Sequence, residues 1–178
     1  MKRLLDVLIS AAAIVALSPI ILIAFVLASI DSKGRPIFSQ TRLTKGRKPF
    51  RIYKFRTMRD GASGRTAAQN LCCKDADDWR ITRIGRILRK TSVDELPQLI
   101  NVLIGDMSLI GPRPCLVEEE PYLTDSHFRH RAGLTGPVQL HRDEELTLDR
   151  INALDASYGP KDDLVIFLKT FKVLLKGK

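Results

Sequence analysis

Residues 7–30 have the sequence VLISAAAIVALSPIILIAFVLASI, in which 24 consecutive residues carry no charge. About 20 apolar residues are enough for a helix to cross the hydrocarbon core of a bilayer. The stretch is longer than the apolar region of a signal peptide, and the following Ile30-Asp31-Ser32-Lys33 does not resemble a cleavage site. We therefore predict a permanent membrane anchor over residues 1–31.

Two features decide between a spanning helix and one that returns to the same face. Ser18-Pro19 lies mid-segment, where proline removes a backbone hydrogen bond and a serine hydroxyl can take up the freed carbonyl. Both flanks are basic, with Lys2 and Arg3 before the stretch and ten cations between Asp31 and Asp60 after it. Basic residues on both sides conflict with the positive-inside rule for a spanning helix. Length alone is typical of one spanning helix, but these features favour a re-entrant helix bent at Ser18-Pro19.

The rest of the chain is strongly basic. Its 178 residues include 29 Lys and Arg against 20 Asp and Glu, and the net charge of +9 falls entirely on residues 32–178. Such an excess predicts an anionic partner: nucleic acid, a membrane surface or a phosphorylated substrate. The ordinary apolar fraction of 44% excludes disordered, collagenous and disulfide-rich classes. Cys72 and Cys73 are adjacent, which favours reduced thiols in a chain facing the cytoplasm.

The pattern beyond the anchor predicts one α+β, mostly helical domain over residues 32–178. Residues 36–40 and 50–58 have strand composition around a turn at 44–47, which predicts a small basic β-hairpin. Residues 60–78 lack periodicity and are predicted to form a mobile loop. Residues 80–90 form a basic amphipathic pattern that suits a membrane surface or a core-packed helix, and the adjoining lipid anchor favours an interfacial helix. Residues 96–104 and 164–176 are further apolar helices, the last able to lie at the interface or to close the core.

Adjacent carboxylates occur at Asp94 and Glu95, between the basic helix and an apolar one. Carboxylates together with substrate phosphates are the usual ligands of magnesium, and a carboxylate can also attack phosphorus. The structural alternative is a capping box, because Ser92 to Glu95 matches the S-x-x-E pattern. Pro97 weakens that alternative, since it would fall inside the first turns of the helix.

Arg113 lies between Pro112 and Pro114. The two prolines restrict the local backbone and bias the arginine toward an extended conformation, so its guanidinium would lose little entropy on binding. A phosphate group is the natural target of such an arginine. A rigid turn carrying a surface arginine is the alternative.

Several stretches together resemble the bacterial sugar transferase family, and more narrowly its small monotopic phosphoglycosyl transferases. The resemblance covers essentially the whole chain. It is carried by Lys54-Phe-Arg-Thr-Met, Arg80-Ile-Thr-Arg-Ile-Gly-Arg, the long run SVDELPQLINVLIGDMSLIGPRP from Ser92 to Pro114, and Gly133-Leu-Thr-Gly. Ser18-Pro19 matches the break in the family's re-entrant helix, and Lys2, Arg3 and Asp6 match its N-terminal signature.

The resemblance implies transfer of a sugar phosphate from a UDP-sugar to undecaprenyl phosphate, with release of UMP, Mg²⁺ as cofactor and a covalent aspartyl intermediate. Asp94 would be the nucleophile and Glu95 a base or orienting group, and both would be candidate Mg²⁺ ligands. The implied phosphate-binding and substrate-binding residues are Arg89, Arg113, Arg142, Lys54 and Arg56. The implied location is the cytoplasmic face of the bacterial inner membrane, in contact with its lipid.

Departures from the family pattern lie near residues 132–142, where Ala132-Gly133, Pro137-Val-Gln139 and His141-Arg142 replace the usual residues. They leave the sugar and the pathway open, as the sequence does the oligomeric state. His127, His130 and His141 lack metal-ligand spacing and are expected at the surface or at the substrate rim. A non-catalytic polybasic scaffold that binds anionic lipid is the alternative function. Nucleic-acid binding is not expected, since it would explain neither the uncharged segment nor the scattered aromatics.

Overall fold

The computed structural model describes residues 1–31, 35–59, 79–141 and 146–176. The predicted loop at 60–78, the Cys72-Cys73 pair and Arg142 lie outside these residues. The described chain is α+β and mostly helical, as predicted. Its helices and strands, in chain order, are α1 (Lys2–Asp31), β1 (Ile37–Thr44), β2 (Lys48–Phe55), α2 (Arg83–Lys90), α3 (Gln98–Ile104), β3 (Ser108–Ile110), β4 (Gly133–Thr135), α4 (Leu148–Ser157) and α5 (Asp163–Lys176).

Helix α1 is 30 residues long and contains Pro19. Proline has no N–H to donate to the carbonyl four residues earlier. The Ser18 hydroxyl donates instead to that carbonyl, Val15 O, at 2.8 Å, as the sequence predicted. The helix is long and apolar enough to cross a membrane, and only 11% of its most apolar window is buried. A core helix of a soluble protein would be covered far more completely.

The predicted hairpin is confirmed, with strands longer toward the turn than expected. β1 and β2 pair antiparallel from Ile37 opposite Phe55 to Thr44 opposite Lys48. A 3₁₀ turn at Lys45–Arg47 joins them, and Gly46 there has a φ of +67°, which glycine adopts without steric cost. Apolar side chains of β2, including Phe50 and Ile52, are buried against Val102 and Met107. The hairpin is therefore anchored to the domain through β2.

Helix α2 begins at Arg83, three residues later than the predicted start. Thr82 caps it, and its Oγ1 accepts a hydrogen bond from Gly85 N at 3.0 Å. The helix packs closely on the end of the hairpin because a side chain at Gly85 would collide with the Thr57 backbone. Its apolar positions divide: Leu88 is buried, whereas Ile87 is 63% exposed. A basic helix with an exposed isoleucine agrees with the interfacial prediction but does not test it.

The C-terminal half builds around β3 and β4, which pair in parallel. Short 3₁₀ turns connect them to α4, and α5 closes this side of the core through Ile166, next to Ile110 and Tyr158. Leu164 and Leu168 of α5 remain exposed, at 68% and 57%. The last helix therefore closes the core, one of the two predicted roles, and also keeps an apolar outer surface.

Both ends of α1 contact the rest of the chain, and they do so with different chemistry. Near the start, Lys2 donates to Asp163, Arg3 donates to the Val102 and Leu103 carbonyls at the end of α3, and Asp6 accepts from Ser108. Near the end, Ala24 and Ala28 pack with Phe55 and Leu88. The middle of the helix, with Ser18 and Pro19, is mostly exposed.

Candidate functional site

The adjacent carboxylates lie on a tight connection between α2 and α3. Ser92 has a φ of +57°, an uncommon conformation for a residue other than glycine, and Val93–Glu95 form a 3₁₀ turn directly after it. The Ser92 side chain does not cap this turn. The capping-box alternative is therefore wrong, because a left-handed Ser92 takes the place of the extended N-cap that the box requires.

The two acids meet different surroundings. Asp94 is buried, with 7% of its surface exposed. Glu95 is half-buried, and its Oε1 accepts a hydrogen bond from Lys54 Nζ of β2 at 2.9 Å. Arg89 lies at the end of α2, and its Nε donates to Thr57 Oγ1 at 2.9 Å. The turn thus pairs Glu95 with a strand lysine and directly follows a helix that ends in Arg89 and Lys90, a charge pattern suited to anionic reactants.

Arg56 directly follows β2, and its backbone N–H donates to Pro36 O at 2.7 Å. This bond extends the hairpin by one step and places Arg56 two residues beyond Lys54. Arg142 lies outside the described residues. The predicted phosphate contacts of both arginines stay predictions.

Arg113 is positioned by backbone packing between two glycine motifs. Gly111 N donates to Thr135 O at 2.9 Å, and Gly133 N donates to Pro112 O at 2.8 Å. A side chain at Gly111, Gly133 or Gly136 would collide with backbone atoms of the facing segment. The Gly-Pro-Arg-Pro and Gly-Leu-Thr-Gly motifs are therefore two halves of one close-packed unit.

The Arg113 guanidinium faces Glu119, with 3.7 Å between Nη2 and Oε1. Glu119 is fully buried and accepts a hydrogen bond from Leu116 N at 2.7 Å. A second arginine, Arg42 of β1, has its Nη1 3.9 Å from the other carboxylate oxygen of Glu119. Burial and the nearby Arg113 lower the pKa of Arg42 to about 10, while Glu119 opposes the shift. Burial also raises the pKa of the neighbouring Cys115 thiol to about 12, so it is protonated at neutral pH.

Two groups of charges therefore lie along the hairpin. Arg42 pairs with Phe50, and Lys54 pairs with Phe38. Because side chains alternate along a strand and opposed residues share a face, Lys54 and Arg42 extend from the same face. Four residues of β1 separate Phe38 from Arg42, or about 14 Å along the strand. The structure brings Asp94, Glu95 and Lys54 to one end of this face and Arg113 toward the other.

The described residues include no group of three or more His, Cys, Asp or Glu that could hold a metal by themselves. Asp94 and Glu95 fit the coordination typical of Mg²⁺, which needs only one or two protein carboxylates because substrate phosphates and water supply the other ligands. A Mg²⁺ site here would be completed only when a phosphate-containing substrate binds.

The bacterial sugar transferase family model matches residues 1–177. This chain belongs to that family. A relative from Caulobacter vibrioides, a UDP-glucose:undecaprenyl-phosphate glucose-1-phosphate transferase, is 40% identical over 190 residues that cover 98% of this chain and 69% of the relative. A UDP-N-acetylgalactosamine-undecaprenyl-phosphate N-acetylgalactosaminephosphotransferase from Aeromonas hydrophila is 37% identical, over 99% of this chain and 44% of the relative. Galactosyl transferase CpsE of Streptococcus agalactiae is 40% identical, over 99% and 42%.

The sugar transferase chain spans less than half the length of the last two relatives. The names of the Caulobacter and Aeromonas proteins both specify undecaprenyl phosphate as a substrate. They specify different sugars, glucose and N-acetylgalactosamine.

Sequence reasoning missed three residues of this sugar transferase's site region. Arg42 was counted only as one of ten cations, Glu119 was not singled out, and Thr57 was quoted only as part of the Lys54-Phe-Arg-Thr-Met motif. Arg42 lies between the predicted strand at 36–40 and the predicted turn at 44–47, so its place in the sequence gave no signal of a site role. Nothing local distinguishes Glu119 from Glu118 and Glu120.

The histidine expectation needs a correction. His127 is buried, and its Nδ1 lies 2.6 Å from Asp155 Oδ2 of α4. It was expected at the surface or at the substrate rim because the histidines lack metal-ligand spacing, but α4, from a distant part of the chain, contacts it through Asp155. His130 and His141 are half-buried, and burial, followed by the nearby Lys2, lowers the pKa of His130.

Proposed function

We propose that this sugar transferase moves a sugar phosphate from a UDP-sugar to undecaprenyl phosphate, releases UMP, and does so through Asp94. The observation that carries the proposal is the position of the Asp94–Glu95 turn. The cations Lys54 and Arg89 flank the turn, and Val93 packs against the apolar cluster of Ala24 and Ala28 on α1. Carboxylates beside a membrane-seeking helix suit a reaction between a water-soluble phosphate ester and a lipid phosphate.

The reaction has two displacements at one phosphorus atom. An Asp94 oxygen forms a bond to the β-phosphorus of the UDP-sugar, the bond from that phosphorus to the bridging oxygen breaks, and UMP leaves with the electron pair. A phosphate oxygen of undecaprenyl phosphate then attacks the same phosphorus and releases the Asp94 carboxylate. The product is an undecaprenyl diphosphate sugar, and no oxidant or further reactant is needed.

Each residue of the turn has a stated role in this proposal. Burial of Asp94 leaves its carboxylate with less water to displace before attack. Glu95, held by Lys54, orients the turn, while Lys54 and Arg89 offset the repulsion between a carboxylate and a diphosphate. Asp94, Glu95 and the substrate phosphates would hold Mg²⁺, which supplies Lewis-acid stabilisation of the transferred phosphoryl group.

The relatives favour this function over a polybasic scaffold, because those compared above are named as transferases. The decisive measurement uses mass spectrometry of protein quenched after mixing with UDP-glucose or UDP-N-acetylgalactosamine in the absence of lipid phosphate. We expect a phospho-sugar adduct on the peptide containing Asp94, and UMP release limited to about one equivalent. An adduct on another residue, or turnover without any adduct under rapid quenching, would contradict the covalent role.

The re-entrant topology belongs to the same proposal, since it keeps the site on the cytoplasmic face of the inner membrane. Both ends of α1 contact the same domain, through Arg3 at Val102 and through Ala24 and Ala28 at Phe55 and Leu88. A helix that crossed the bilayer would carry one of these ends to the opposite side of the membrane. The two contacts therefore favour a helix that returns to the face it left, with Pro19 and the Ser18 hydroxyl bond as the place for a bend.

Cysteine labelling tests the topology directly. Single cysteines introduced at Lys2 and Lys178 of a cysteine-free variant should both resist an impermeant maleimide in spheroplasts and react after lysis. Labelling of position 2 from outside would establish a spanning helix.

A further inference from the structure

The second charge cluster, formed by Arg42, Arg113 and Glu119, contains one more arginine than a simple salt bridge requires. One fully buried carboxylate faces two guanidinium groups, at 3.7 and 3.9 Å. Both distances exceed a good hydrogen bond, so the carboxylate neutralises charge without occupying the donors of either arginine. The three side chains together carry a net charge of +1.

The two arginines differ in the hydrogen bonds that they make and in their exposure to solvent. Arg42 donates to Pro114 O at 3.2 Å and to Gln40 Oε1 at 2.9 Å, so it ties the segment after Arg113 to β1. Its side chain is 15% exposed. Arg113 is 31% exposed, and within the described part of the chain its guanidinium makes no hydrogen bond. A guanidinium has five N–H donors, and those on the exposed side of Arg113 can bind a ligand.

Two like charges held together are costly unless an anion joins them. The buried Glu119 offsets part of that repulsion, and Leu116 N fixes the carboxylate from behind. An added phosphate group would offset the remaining charge and offer two oxygens to the planar guanidinium fork of Arg113. The cluster is therefore complementary to a phosphate on its exposed side.

We propose that Arg113 contacts one substrate phosphate and that Arg42 and the buried Glu119 are its positioning residues; we call these three side chains the clamp. The inference rests on the function proposed above and assigns two residues, Arg42 and Glu119, that the sequence did not single out. Arg42 and Glu119 act by holding the Arg113 guanidinium in place.

The clamp and the Asp94–Glu95 turn lie along the same face of the hairpin. Arg42 lies about 14 Å along β1 from the position opposite Lys54. Both substrates bring a phosphate to the phosphorus atom that Asp94 attacks, so the phosphate that Arg113 contacts belongs to the nucleotide-sugar or to the polyprenyl phosphate. Both sources present the same oxyanion, and separate titrations of the two substrates distinguish them.

The test measures initial rates of UMP release by full-length protein in detergent, for wild type, Glu119→Gln and Arg42→Lys. The UDP-sugar and undecaprenyl phosphate are varied separately. Glu119→Gln keeps the size and an acceptor for Leu116 N but removes the charge. We expect it to raise KM for one substrate about 10- to 100-fold with a smaller change in kcat, the signature of lost binding rather than lost chemistry. UMP affinity, measured by calorimetry, should fall in parallel if the nucleotide is the source.

A double-mutant cycle separates positioning from general stabilisation. In an Arg113→Lys background, Glu119→Gln should add less than about threefold, because Glu119 acts through Arg113. Arg51→Gln is the matched control, since Arg51 is an exposed arginine on the opposite face of the same hairpin. It should leave both KM values unchanged.

The outcomes are decisive in either direction. If neither KM changes more than threefold in Glu119→Gln or Arg42→Lys proteins with wild-type melting temperatures, the clamp is refuted while wild-type turnover still supports the transferase function. Additive effects in the cycle would also refute it. If Glu119→Gln does not fold, Arg42→Lys alone decides by the same KM criterion. Absence of wild-type turnover with every UDP-sugar and the lipid phosphate would instead contradict the proposed function.

Discussion

Two runs of neighbouring acids, Asp94-Glu95 and Glu118-Glu119-Glu120, look alike in the sequence and lie in opposite situations in the structure. The first run is on a 3₁₀ turn that follows the left-handed Ser92, and Glu95 pairs with a half-buried lysine. In the second run Glu119 is fully buried between two arginines, and Glu118 beside it is exposed. The comparison shows that the role of an acidic residue, in the reaction or in positioning another side chain, depends on which residues from other segments lie next to it.

The largest expected effect comes from Asp94→Asn, which removes the proposed nucleophile with almost no change in volume. We expect turnover to fall by about 10³-fold or more and the adduct to disappear, while the melting temperature stays within a few degrees of wild type. Glu118→Gln is the matched control from the other acidic run and should keep near-wild-type rates. Equal losses of turnover in the two variants would show that the two acidic runs do not differ in their role in the reaction.

Arg113→Lys tests whether the second run supports an arginine that binds substrate. Lysine keeps the charge but loses the planar fork that can hold two phosphate oxygens together. We expect a loss of about 1.5–3 kcal/mol, or about 10- to 150-fold in kcat/KM, measured as UMP release under matched detergent and magnesium. A change below about threefold would remove Arg113 from the site and leave Glu119 with a purely structural role.

Gly136→Ala is expected to give the smallest effect of the three variants. It tests whether the position of the Arg113 segment depends on close backbone packing. An added Cβ would collide with the Gly111 backbone, so we expect a cost of about 1–3 kcal/mol and a fall of about 3–10 °C in melting temperature. Gly159→Ala is the control, because a Cβ there meets only side-chain atoms at 3.8 and 4.0 Å. The same melting temperature for the two variants would contradict the close-packed arrangement of the motifs.

Much of the organisation was accessible from local patterns. The uncharged 24-residue stretch, the turn between two strands and the helix ending at Gly105 each depend on neighbours in sequence, and each is present in the structure. The Ser18 hydroxyl bond to Val15 followed from proline chemistry alone. The predicted start of α2 was wrong, because Thr82 caps the helix and sets that boundary. The capping box, the less favoured alternative for Ser92 to Glu95, is absent because Ser92 is left-handed.

The amino-acid sequence by itself determined the apolar helix, the basic charge, the α+β class and the family, since composition, periodicity and motif spacing are properties of the chain alone. Only the tertiary structure decided that Glu119 joins Arg42 to Arg113, that Lys54 holds Glu95, and that α4 buries His127. Apart from Arg113 and Glu119, which are 6 residues apart, the paired residues are 28 to 77 positions apart in the sequence. The physical reason is that burial and charge pairing depend on which surfaces meet in space, and no local pattern encodes the partner.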